Sequence, residues 1–169
     1  IKKYSFLEKD FFLSVSRSIE DNQLNEICDT FIKSKKHLVL ISNLSNSQYG
    51  KKVLHKYSKV TNITLIDGLY VKPELDLIRK KCICYIHTHS TCGTAPSLVE
   101  MIMCQKPIIS FDVPQNRNTL NNSGVYFSNF DDLANILKST NNFSKYLISK
   151  DILKNYKWPN IIETYENLF

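Results

Sequence analysis

The chain reads as an α/β protein: a single Rossmann-like domain, with a parallel sheet of about six strands and helices on both faces. Three observations predict it. Short apolar runs rich in Ile, Val, Leu and Phe alternate with segments whose apolar residues recur at helical spacing. The segments between the runs are long enough for the right-handed helical crossovers that parallel strands require. No internal repeat or low-complexity linker interrupts the alternation.

The elements follow in order. Residues 11–16 are apolar and β-prone and make the first strand, with Arg17 at its C-terminal end. Leu24, Ile27, Cys28, Phe31 and Ile32 mark a helix. Residues 37–41 are the second strand, 42–49 a loop of small polar residues, and 50–59 a helix with Val53, Leu54 and Tyr57 on one face. Residues 62–66 are the third strand, closed by the turn signal Asp67-Gly68. Pro73 opens a helix through Ile78, and residues 82–87 are the fourth strand. A helix over 97–104, a strand over 107–111, a loop at 112–118, a short strand at 125–127 and a helix over 130–138 come next. The remainder reads as helices at 151–156 and 160–168, broken at Pro159.

Composition narrows the class. With 169 residues, 43% hydrophobic and 22% charged, the chain has the size and balance of one soluble globular domain. No apolar run reaches the length of a membrane span. The start at Ile1, with neither initiator methionine nor the apolar core of a signal peptide, reads as a piece of something larger. Five cysteines in no framework spacing favour reduced thiols and a cytoplasmic setting. A net charge of +6 suits an anionic small molecule, and leaves room for a peripheral membrane contact through the lysines at 33–36. The lysines are otherwise scattered and no nucleic-acid-binding motif is present, so no nucleic-acid partner is expected. Only Arg17, Arg79 and Arg117 are arginine among 22 basic residues, which singles them out for tasks needing a planar, two-pronged donor.

The stretch Thr91-Cys92-Gly93-Thr94-Ala95-Pro96-Ser97-Leu98-Val99-Glu100 carries the functional signal. It joins the fourth strand to a helix. Gly93 permits a tight turn or close approach of a ligand, and Pro96 suits a first helical turn. The free N–H groups and positive dipole end then face the space beyond the strand, where an α/β fold binds phosphate. The four glycines can form neither a G-x-G-x-x-G fingerprint nor a P-loop, which argues against a nicotinamide dehydrogenase and a P-loop ATPase. Cys82, Cys84, His87, His89 and Cys92 invite a zinc reading. Strand alternation opposes it: Cys82 and Cys84 should share one face with Ile86, and His87 the other with Ile83 and Tyr85. Core cysteines with site-facing histidines are the expectation, with no metal. No Ser-His-Asp arrangement stands out either.

The run from Tyr85 to Met101, followed by Gln105-Lys106-Pro107-Ile108-Ile109-Ser110-Phe111-Asp112-Val113-Pro114, resembles the C-terminal donor-binding domain of glycosyltransferase family 4, in particular a bacterial rhamnosyltransferase-like branch. The resemblance extends to Phe12-Leu13-Ser14-Val15-Ser16-Arg17, to residues 38–43 and to the closing Tyr156-Lys157-Trp158 and Tyr165-Glu166-Asn167-Leu168-Phe169. It implies the C-terminal half of a retaining two-domain GT-B transferase, with the acceptor-binding N-terminal domain missing from this chain. The donor would be a UDP- or dTDP-linked sugar. The acceptor would be a growing surface polysaccharide or lipid-linked glycan, which places the enzyme in the cytoplasm at the inner face of the membrane. By the same resemblance Glu100 holds the nucleotide ribose. Gly93, Thr94 and Ser97 hold the diphosphate and sugar, and Arg17 contacts the leaving phosphate.

Two departures from the family pattern stand out. Cys92 occupies the place of the family's first glutamate, eight positions before Glu100, as the rhamnosyltransferase-like branch also lacks that glutamate. The lysine that usually follows the first-strand arginine is absent, with Asn22 in that region, and leaves Lys51 or Arg117 to neutralise the second phosphate charge. Leaving-group charge can be met by Arg17 and the amides of 93–97 without a metal, consistent with the absence of a D-x-D motif. No catalytic base is assigned.

Each assignment has a plainer alternative. Ser97 and Glu100 fit a capping box. Arg17 could pair with Glu20 or Asp21, and Arg117 could form a loop salt bridge. His89 could face the sugar or bond a neighbouring loop. For the chain as a whole, the alternatives to a transferase half are a non-catalytic nucleotide-sugar-binding module and a GT-B-type nucleotide-sugar epimerase.

Overall fold

The computed structural model describes residues 4–139 and 141–168. The N-terminal reading at residues 1–3 and the family resemblance at Phe169 lie outside the described residues. Six strands, β1 (Phe12–Val15), β2 (Leu38–Ser42), β3 (Ile63–Asp67), β4 (Cys84–His87), β5 (Ile108–Phe111) and β6 (Val125–Phe127), form one sheet in the order β3-β2-β1-β4-β5-β6. Every pairing is parallel. The register places Phe12 beside Leu38 and Cys84, and Tyr85 beside Ile108. The order reverses between β1 and β4, which is the switch point at which doubly wound sheets bind ligands.

Among the described residues seven α-helices connect and flank the strands: α1 (Leu24–Ser34), α2 (Gln48–Tyr57), α3 (Lys72–Lys81), α4 (Pro96–Met103), α5 (Pro114–Thr119), α6 (Phe130–Ser139) and α7 (Trp158–Glu166). Alternate strand residues feed two cores. Phe12, Leu38, Leu40, Cys84 and Ile86 pack with Ile27 and Phe31 of α1, Val53 of α2 and Leu133 and Leu137 of α6. Leu13, Val39, Ile41 and Tyr85 pack with Ile78 of α3 and Leu98, Met101 and Ile102 of α4. Strands buried on both faces read as continuous apolar runs, as β2 does.

Three boundaries differ from the sequence expectation. Residues 112–118 are not a loop, because Pro114 opens α5. Its residues are polar and leave no apolar stripe for periodicity to detect. Cys82 does not share a face with Cys84: it ends α3, packs in the same core as Tyr85, and the strand alternation begins only at Cys84. Near the C-terminus a 3-10 turn (Lys150–Tyr156) leads into α7, and Pro159 sits in the first turn of that helix rather than breaking it. Among the described residues no helix is long and apolar enough to cross a membrane.

Candidate functional site

A cleft of about 690 Å³ opens at the C-terminal ends of the central strands. Val15, Ser16 and Arg17 come from the end of β1, Ile41, Ser42 and Asn43 from β2, Gly68, Leu69 and Tyr70 from β3. His89 and residues 91–97 close it on the β4 side. It therefore straddles the switch point between β1 and β4.

Hydrogen bonds between loops hold this rim. Ser18 N–H donates to Asn43 Oδ1 at 2.9 Å, Ser18 Oγ donates to the Asn43 carbonyl at 2.8 Å, and Ser47 Oγ donates to the Ser18 carbonyl at 2.8 Å. Ser47 in turn accepts from Gly50 N–H and caps α2. Asn22, buried, donates through Nδ2 to the Arg17 carbonyl at 2.8 Å, and its own carbonyl accepts from Thr88 Oγ1 at 2.5 Å. Gln23, in the left-handed region at φ 54°, donates to the Thr88 carbonyl at 2.7 Å. Asn22 and Gln23 thus tie the Arg17 loop to the β4 loop. Sequence reasoning marked Asn22 only as a missing lysine and did not single out Gln23.

Arg17 lines the cleft, is exposed, and has no ion-pair partner among the described residues. Glu20 and Asp21 do not pair with it; Asp21 instead accepts from Thr91 Oγ1 at 2.6 Å. Gly93, Thr94 and Ser97 also line the cleft, and among the described residues their N–H groups donate to no backbone acceptor. Helix α4 begins at Pro96 after Ala95, with no side-chain cap. In that first turn Pro96 has no N–H and Leu98 and Val99 donate to the Ala95 carbonyl, so the Ser97 N–H and the positive dipole end are what it presents at the cleft. Gly93 does not supply an unusual backbone angle. A Cβ there would meet nothing within 4 Å, so what the glycine leaves open is space on the cleft side. The hydroxyls of Ser16 and Ser42, buried in the cleft floor, have no hydrogen-bond partner among the described residues.

Glu100 and Arg117 stand elsewhere. Ser97 is not the cap of α4, so Ser97 and Glu100 form no capping box; Glu100 is paired with the buried Arg79 of α3. Arg117 donates through Nε and Nη2 to both carboxylate oxygens of Asp112, at 2.5 and 2.7 Å, and stacks over the Tyr126 ring at 4.2 Å. That bond holds the Asp112 carboxyl below its usual range. Neither residue, nor Lys51, is among the walls of the cleft.

The β4 loop also gathers groups that strand alternation had separated. The His87 and His89 rings lie 4.2 Å apart between centroids. The ligand-capable atoms of His87, His89 and Cys92 all fall within 4.8 Å of one another. Alternation holds for the strand through His87, but Cys92 lies in the loop beyond it and turns back. Burial holds His87 well below its usual pKa, with His89 adding to the effect; burial and then Arg17 hold His89 at about 4. Burial raises the Cys92 thiol, and Arg17 opposes that rise.

No family model and no curated protein matches this chain. Its fold has many solved counterparts. The sucrose-phosphate synthase of Thermosynechococcus elongatus superposes with a TM-score of 0.77 at 14% identity, over 96% of this chain and 45% of that one. The alpha,alpha-trehalose-phosphate synthase (UDP-forming) of Burkholderia vietnamiensis gives 0.71 at 13%, over 94% and 44%. The pneumococcal O-GlcNAc transferase GtfA, in complex with UDP and GlcNAc, gives 0.68 at 14%, over 94% and 35%. The fold is the Rossmann-like α/β fold of GT-B glycosyltransferase domains. The chain spans less than half the length of each of these structures.

Proposed function

We propose that this chain is the donor-binding half of a retaining GT-B glycosyltransferase of the family 4, rhamnosyltransferase-like kind. It would take a UDP- or dTDP-linked sugar and pass the sugar to a growing surface polysaccharide or lipid-linked glycan at the inner face of a bacterial membrane. One observation carries the reading: an unpaired arginine and the uncapped N-terminus of α4 border one cleft at the β1/β4 switch point. The fold shared with UDP-using transferases supports it.

In this reading the diphosphate lies over the N–H groups of Gly93, Thr94, Ala95 and Ser97, with Arg17 on its flank. Bond cleavage to the sugar leaves negative charge on the nucleotide. Fixed N–H donors and a cation stabilise that charge where it develops. The helix dipole adds about 0.3–1 kcal/mol. Tyr70, 81% exposed on the β3 side of the cleft, offers its ring to the base. Glu100, one turn into α4, is assigned the ribose; it stands outside the cleft walls and would have to turn from its pair with Arg79 to meet it. Arg117, braced by Asp112, stands outside the walls and would need to leave that pair to meet a phosphate. His89 flanks the sugar side. The acceptor would be bound by a second domain, and this domain would transfer nothing by itself.

The test is a melting series with UDP, dTDP, GDP and ADP at millimolar concentration. A ligand bound only by the folded state raises stability by about 2.7 kcal/mol at 100 times its Kd. A rise with UDP or dTDP is expected. No rise with any of the four removes the proposal.

A further inference from the structure

We propose that His87, His89 and Cys92 form a binding site for one divalent transition-metal ion of the zinc class, with two imidazole nitrogens and one thiolate as ligands and a fourth coordination position open to the cleft. Three lines of geometry support it.

The first is proximity. The ligand atoms of these residues lie within 4.8 Å of one another. Zinc–nitrogen and zinc–sulfur bonds of about 2.0–2.3 Å in a tetrahedral shell put ligand atoms about 3.5 Å apart. Side-chain rotations of the three ligands would have to close that difference on binding. The second is orphaned polarity. His87 is 1% exposed, and no hydrogen bond of good geometry reaches its ring nitrogens among the described residues, although the Asn116 side chain is near enough to interact with the ring; buried His89 Nε2 has no partner among the described residues. Three ring nitrogens so placed at one spot are costly, and buried polar groups of this kind call for a partner. The third is the surrounding support. Asn116, 1% exposed, donates through Nδ2 to the His89 carbonyl at 3.0 Å and to the Phe111 carbonyl at 2.9 Å, while its Oδ1 accepts from the Cys92 thiol at 3.8 Å. It fixes the backbone of one ligand, as outer-shell groups do at metal sites, and its bond from the Cys92 thiol would be given up when the thiolate meets the ion.

The open position follows from the walls of the cleft, which include His89 and Cys92. Three protein ligands with an open fourth place are the arrangement of zinc sites that act on a ligand rather than only hold a fold. Two imidazoles and a thiolate suit Zn(II) better than Mg(II) or Ca(II). Arg17 is close enough to act electrostatically on His89 and Cys92. It opposes a bare dication and favours the thiolate. Metal binding replaces the Cys92 S–H bond with an S–metal bond and releases that proton to solvent.

The test is titration of the metal-free, reduced chain with Co(II), followed by displacement with Zn(II). One equivalent of Co(II) should produce a thiolate-to-cobalt charge-transfer band and the strong visible bands of a tetrahedral ion, and Zn(II) should abolish both. Cys92→Ser should remove the charge-transfer band. His89→Gln should weaken affinity at least by the about 10–100-fold that outer-shell changes cost. Cys104→Ser, on α4 and away from the cluster, should leave the spectrum unchanged. Circular dichroism of each metal-free variant confirms that it is folded, and if one is not, the other decides. No charge-transfer band in the parent chain, or a band that survives in Cys92→Ser, overturns the site. Nucleotide binding is measured in chelator, so the donor reading and the metal site fail separately.

Discussion

Arg79 of α3 and Glu100 of α4 are bonded to each other, and the pair joins a guanidinium 5% exposed to a carboxylate 51% exposed. Asp76, at 3.4 Å, is the other acidic partner of Arg79, whose Nε has no partner among the described residues. Glu100 therefore holds a buried cation, and in the proposed function it would have to turn from that cation to meet the ribose.

Removing that carboxylate should cost stability before it costs binding. Glu100→Ala leaves Arg79 buried with Asp76 alone, a loss of about 1–3 kcal/mol. For a chain of this size that is a fall of about 2–4 °C in Tm per kcal/mol. Thermal denaturation checks it. An unchanged Tm would show that the pair contributes nothing.

Arg17 should behave in the opposite way. It is exposed and unpaired, so Arg17→Ala should leave the Tm of the ligand-free chain within about 0.5 kcal/mol of the parent. The same change should weaken UDP by about 1.5–3 kcal/mol, or roughly 10–100-fold in Kd. Isothermal titration reads both the affinity and its loss.

The two glycines Gly50 and Gly93 should respond differently to a methyl group. At Gly50 a Cβ collides with the Leu44 carbonyl, and the backbone must shift; about 1–3 kcal/mol of destabilisation is expected. At Gly93 a Cβ meets nothing. Gly93→Ala should therefore melt like the parent yet bind UDP less tightly, because the space it fills belongs to the ligand. Equal UDP affinity in Gly93→Ala would move the diphosphate away from that amide.

Tyr70 offers a test of where the base lies. Stacking of a base on an aromatic ring is worth about 1–3 kcal/mol. Tyr70→Ala should weaken UDP by that amount and leave inorganic pyrophosphate binding unchanged. A matching loss for both ligands would place the base elsewhere.

The order of strands and helices could be read from the chain because each strand is buried on both faces or flanked by a periodic helix. β2 shows the first property and α1 the second. The residues on the cleft that could be named in advance, Arg17, His89, Gly93, Thr94 and Ser97, follow from the rule that ligands gather at strand ends. What stayed hidden depends on contacts between distant elements. The Arg79–Glu100 bond spans two helices, and no spacing announces it. α5 has no apolar stripe, and its Asn116 is held by hydrogen bonds rather than by hydrophobic burial. The left-handed backbone at Gln23 is not signalled by a glycine, and it aims the side chain that joins two loops. Cys92 meets two histidines only because the loop after β4 folds back on the strand.

The most direct measurement is a crystal structure of the chain with UDP bound. The account predicts the diphosphate over the N–H groups of Gly93, Thr94, Ala95 and Ser97, within hydrogen-bonding distance of Arg17. UDP bound away from the β1/β4 switch point, or over these strands with Arg17 turned aside and the α4 amides uncontacted, would contradict it.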